Sequence, residues 1–194
     1  MLSLLPQATI MSGTLSLPMQ LTAISAGLLI LRLVIGLSMA AHASQKLFGW
    51  FGGHGLAGTA GFFEMLGFRP GRVFALAAGT TELLSGLLIA LGFLGPIGSA
   101  LMLSVMIVAA LTVHWKNGFF ASAGGIELTV LFAVAAVALA FTGFGQFSLD
   151  ALTGLDTLFT PADAVAALAL GVIGAIGNLS LRRQQPVTPT PASR

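Results

Sequence analysis

The 194-residue chain contains no cysteine, and only 7% of its residues are charged. Without thiols it can form no disulfide, thiolate metal site, covalent haem link or persulfide intermediate, although this leaves its compartment open. An ordinary soluble domain carries roughly a quarter charged residues, so a chain this poor in charge cannot cover a water-facing surface. The isoelectric point near 10.0 reflects a net charge of only +2. No basic stripe with interleaved aromatics is present, which argues against nucleic-acid binding. Phosphate-loop lysines, a GxSxG serine and an HExxH pair are missing, and the scattered His and carboxylates have no metal-ligand spacing, so no metal is expected. The opening MLSLLPQATIMSGTLSLPMQ lacks the basic start of a secretory signal; residues 1–20 are expected to form an uncleaved leader.

What the chain does have is apolar length. It is 56% hydrophobic with a mean hydropathy of +0.99. The runs are continuous Leu, Ala, Val and Ile with interspersed Gly, whereas a membrane β-barrel needs alternating segments. They predict an all-α, polytopic transmembrane helical bundle with spans at 21–42, 73–94, 97–114, 126–143 and 162–179, each long enough for a core of about 30 Å. Gly95-Pro96 leaves almost no loop and predicts an antiparallel hairpin. GLAGTAGFFEMLG, within the long connection 43–72, predicts a short interfacial helix. A loop with the fifth helix is expected over 151–181, and a disordered cytoplasmic tail over 182–194. Lys46, Arg69, Arg72, Lys116, Arg182, Arg183 and Arg194 fall on one side of this arrangement, and Asp150, Asp156 and Asp163 on the other. The positive-inside rule then places the N-terminus outside and the C-terminus in the cytoplasm.

Few polar groups lie within the spans. Arg32 and Glu82 sit at similar predicted depths, roughly 15 and 13.5 Å from the basic side at about 1.5 Å per residue, so they are expected to meet. Two readings stay open: a buried ion pair that sets helix register, or the lining of a polar pocket for a proton or a quinone head group. His42, Lys46, Glu64, His114 and Glu127 gather near the basic boundary, with His42 and Lys46 four apart on one helical face. For Lys46, Lys116 and Trp50, interfacial anchoring is the plainer reading. His42 and His114 are the candidates for cofactor contact. A haem held between them is the weaker expectation, since it also demands a hydrophobic slot and correct ring orientation. GVIGAIG near the C-terminus reads as close helix packing, and Met102 with Met106 as core.

RLVIGLSMAAHASQKLFGW, GTAGFFEMLGF, LAAGTTELLSGLLIALGFLGPIGSALMLSVMIVAALTVHWKNGFF and GGIELTVLFAVAAVALAFTGFGQFSLD together resemble, in order, the signatures of the DoxX family over residues 32–150. The chain departs from the pattern at Ala43 and Ser44, where the family often has Gly and a small residue. The resemblance implies a four-helix membrane core within 21–150, here extended by a fifth C-terminal span. It further implies a relationship to the small subunit of thiosulfate:quinone oxidoreductase, within a family of diverse activities. It marks Arg32, His42, Lys46, Glu64, Glu82, His114 and Glu127 as the polar set of the bundle, without a catalytic role for any. The leading expectation is a subunit or accessory of a quinone-linked redox system in a bacterial inner membrane. The rivals are a small proton-coupled transporter and a structural scaffold without chemistry of its own. A redox partner subunit and self-association through the Gly-rich fifth span are the expected contacts besides lipid.

Overall fold

The computed structural model describes residues 16–183, and within them the chain is helical with no strand. Seven α-helices follow in order: α1 (Leu17–Phe48), α2 (Gly55–Met65), α3 (Gly71–Leu91), α4 (Pro96–Ala109), α5 (Glu127–Thr142), α6 (Leu149–Thr153) and α7 (Pro161–Ser180). Short 3-10 turns fill several of the connections, and a π-helical turn at Ala110–His114 extends α4. Residues 1–15 of the expected leader and 184–194 of the expected tail lie outside the described residues. Leu17 to Gln20, also assigned to the leader, already belong to α1.

The breakers act where they stand. Pro18, Pro96 and Pro161 occupy first-turn positions, where a missing N–H is no loss. Gly49 and Gly92 close α1 and α3 in the left-handed conformation, which only glycine adopts at little cost.

The packing is inverted relative to a water-soluble domain. Ser25, Arg32, Gly36, Met39 and Ala43 form the buried stripe of α1, while Ile30, Leu33, Val34 and Leu37 are exposed. Small residues face the bundle, and large apolar ones face outward, as lipid-exposed helices require. Four helices are long and apolar enough to cross a membrane: α1, α3, α4 with its extension to Asn117, and α7. The fourth predicted span appears as α5, an apolar helix of 16 residues, shorter than the others.

Helices α1 and α3 run antiparallel in tight contact. A methyl added at Gly36 would lie 2.5 Å from the Gly86 carbonyl oxygen, and one at Gly86 would lie 2.6 Å from that of Gly36. Met39, Ile89, Met102, Met106, Ala136, Leu139 and Phe144 form the core among α1, α3, α4 and α5. Helix α7 lies on α4 and runs parallel to it, with Gly171 against Ala100 and Gly174 near Ser104. The glycines of GVIGAIG therefore serve packing, except Gly177, which meets nothing.

The far end of α7 returns to the α2–α3 turn. Arg183 N–H donates to the Gly67 carbonyl at 2.9 Å and Arg182 Nε to that of Leu66 at 2.6 Å. This gathers Arg182 and Arg183 at the end of the bundle that carries Arg69, Arg72 and Lys116. Exposed Trp50, Phe51, Trp115, Phe119 and Phe120 lie at the same end, as aromatic residues do at a membrane interface.

Candidate functional site: a charged pair in an apolar cavity

Glu82 lies on the buried stripe of α3 and is 2% exposed. Its partner is Lys46: the ammonium donates to both carboxylate oxygens at 2.5 Å. The expected Arg32–Glu82 pair does not form, and the reason is the length of α1. AAHASQKLF is rich in polar residues, so hydropathy ends the span at His42, but its residues tolerate a helix and α1 runs six residues further to Phe48. At about 1.5 Å per residue, Arg32 is then about 24 Å from the end of α1, whereas Glu82 is about 16 Å from the start of α3.

Arg32 instead meets the opposite end of α3. It is fully buried, and its Nη2 donates to the Phe147 carbonyl at 2.7 Å. The guanidinium lies 5.7 Å from the centre of the Phe144 ring and packs against Gly92. The neighbouring Asp150 carboxylate, 3% exposed, accepts from Leu94 N–H at 2.9 Å and Gly95 N–H at 2.6 Å. This Arg32–Asp150 region ties α1, the α3–α4 turn and the start of α6 together. A cleft of about 670 Å³ lies beside Asp150, but that carboxylate is already committed to the two backbone donors.

The other end holds the better binding geometry. Lys46, Glu82 and His114 line one cavity of about 390 Å³, walled by α3, α4, α7 and the end of α2. Its floor along α4 is apolar, with Leu101, Val105 and Val108. That combination, mostly apolar walls with a few convergent polar groups, is the general character of small-molecule sites, and the volume falls in their range of about 300–1,000 Å³. The π-helical turn at the end of α4 contains Thr112 and His114, both lining residues; such turns recur at functional sites. His114 Nδ1 lies 2.7 Å from the Gly124 carbonyl. A carbonyl only accepts, so Nδ1 carries the hydrogen, and in the neutral ring Nε2 is left as an acceptor.

The remaining sequence candidates stand elsewhere. His42 sets its ring edge-on to Phe132 of α5 and is not among the cavity's lining residues. Glu64 accepts from Gly71 N–H at 3.1 Å, at the start of α3. Glu127 accepts from Ala121 N–H at 2.8 Å, closing the loop before α5. Both carboxylates serve local backbone, which explains their place beside turns. The structure thus brings together three of the seven expected residues. It also adds Asn178 of α7, another lining residue. Nothing in the Gly-rich sequence of α7 singled it out, although a lone amide on an otherwise apolar face was visible.

Residues 27–115 match the DoxX family model. Over this stretch, a little under half of its length, the chain is similar to the DoxX family. The match runs from α1 to the end of α4, so the DoxX-like stretch contains Arg32, His42, Lys46, Glu64, Glu82 and His114. Glu127, Asp150 and the whole of α7 lie beyond it. No curated protein and no solved structure matches the chain. The DoxX-like stretch and the apolar helices together identify an integral membrane protein.

Proposed function

We propose that this DoxX-like protein is a subunit or accessory of a quinone-linked membrane redox system, and that the cavity beside Lys46 receives the quinone ring. One observation carries the reading: an ion pair between half-buried Lys46 and buried Glu82 forms part of the wall of an otherwise apolar cavity, next to His114. Intramembrane ionisable residues are costly and favour a functional role. An isoprenoid or alkyl tail would lie along Leu101, Val105 and Val108, while the ring oxygens reach the polar corner. There Lys46 retains a third ammonium hydrogen for a ring oxygen, and Glu82 can exchange a proton with it.

The basic end of the bundle supports an orientation with that corner toward the cytoplasm, N-terminus outside and C-terminus inside, in a bacterial inner membrane. Binding of a short-chain 1,4-benzoquinone to the purified full-length protein tests the function. Micromolar binding that weakens at least tenfold in Glu82→Gln and His114→Ala is expected. Affinity unchanged in both variants would overturn the proposal.

A further inference from the structure

We infer that the cavity selects a ligand head that donates hydrogen bonds, so that the reduced, dihydroxy form binds more tightly than the quinone, with Asn178 as the residue that reads the difference. The inference builds on the proposed quinone site. Its starting point is an unmatched atom: Asn178 Oδ1 is buried and has no hydrogen-bond partner among the described residues, although the residue lines the cavity. Buried polar atoms are normally satisfied, and one left bare on a residue that lines the cavity finds its partner in the ligand once the amide turns toward it.

The neighbouring groups point the same way. Lys46 already donates two hydrogens to Glu82. With Nδ1 bound to Gly124, His114 offers its other ring nitrogen as an acceptor when neutral. A ring carbonyl could accept the remaining Lys46 hydrogen, but it would leave Asn178 Oδ1 desolvated and bare. A ring hydroxyl can accept from Lys46 and donate to Asn178. Sites built around such an atom discriminate strongly against the analogue that lacks the hydrogen.

Asn178 belongs to α7, outside the DoxX-like stretch. The selectivity is therefore contributed by the C-terminal helix, which completes a cavity whose other polar groups come from that stretch.

The test compares a short-chain 1,4-benzoquinol with its 1,4-benzoquinone on the full-length protein in detergent, the quinol under anaerobic conditions. The wild type is expected to bind the quinol at least tenfold more tightly. In Asn178→Leu the quinol affinity should fall about tenfold and the quinone affinity less than threefold, while Asn178→Asp keeps an acceptor and most of the preference. A tenfold preference equals a rise of about 30 mV in the two-electron potential of the bound couple. Equal or tighter binding of the quinone by the wild type overturns the inference and leaves the proposed function standing. Equal losses for both forms in Asn178→Leu do the same. Binding of neither form by the wild type removes the proposed function itself. If Asn178→Leu does not fold, the wild-type preference and the Asn178→Asp variant still decide.

Discussion

The Arg32 guanidinium, buried in the middle of α1, donates to the carbonyl of Phe147, which lies 115 residues later in the connection between α5 and α6. One side chain thereby fastens a long helix to a loop far along the chain. Arg32→Leu should leave that carbonyl bare and remove the cation beside Asp150, costing about 3 kcal/mol. Thermal unfolding in detergent measures the loss. Arg32→Lys should recover only part of it, because an ammonium cannot reproduce the planar fork of donors.

The glycines of α1 and α3 differ sharply in what they tolerate. Gly36→Ala should be strongly destabilising, because the new methyl meets the Gly86 carbonyl and Ala90. Gly27 faces open space on the same helix, and Gly27→Ala should stabilise by up to about 1 kcal/mol through helix propensity. Gly92→Ala should be the most damaging, since it combines a φ of +65° with overlap of Arg32 Nη1. Yields of monodisperse protein and melting temperatures rank the three.

The Lys46–Glu82 pair separates stability from binding. Lys46→Met leaves a buried carboxylate uncompensated and should destabilise by about 3–5 kcal/mol. Adding Glu82→Leu to it should restore much of that stability, because the isolated charge is gone. Ligand binding should remain lost in the double variant. A double-mutant cycle with both readouts checks this.

Two acids at nearby levels should behave differently. Glu64→Gln keeps an acceptor for Gly71 N–H and should change stability by less than about 1 kcal/mol. Its ligand affinity should match the wild type. Glu82→Gln, by contrast, removes the charge that holds Lys46 and should lose the ligand.

The proposed orientation is directly measurable because the chain has no cysteine of its own. Single cysteines at exposed Thr157 and Lys116 report the two ends of the bundle. Thr157→Cys should react with an impermeant maleimide in intact cells, and Lys116→Cys only after permeabilisation. The reverse pattern would invert the topology.

Much of this architecture was readable because apolar length and Gly-Pro punctuation are local signals. Gly95-Pro96 marked the α3–α4 hairpin, and GLAGTAGFFEMLG marked α2, which spans Gly55–Met65. The end of α1 was harder. Hydropathy registers lipid exposure rather than helix, so the polar turns carrying Lys46 were cut off, and the depth comparison paired Arg32 with the wrong region of α3. Lys46, Glu82 and His114 were identifiable as rare polar groups near apolar runs. That Arg32 would meet the Phe147 carbonyl, or that Asn178 would face a cavity built by α3 and α4, depended on contacts more than 60 residues apart, for which a single sequence carries no periodic signal. Asp150 belongs with these: its carboxylate holds the Leu94 and Gly95 N–H groups, 56 and 55 residues away, and the local cap of α6 by Ser148 does not signal that contact.

The unequal helices also bear on the lipid around the protein. With 32 residues, α1 extends about 48 Å, whereas the 16 residues of α5 cover about 24 Å. A hydrocarbon layer of about 30 Å is shorter than the first and longer than the second. A helix longer than the layer tilts or projects from it, and a shorter one is met by local thinning, by snorkelling of flanking residues or by association. Such a mismatch of lengths makes the two flanks inequivalent to neighbouring lipids, and chain length in the surrounding membrane becomes a variable to which this fold is mechanically sensitive.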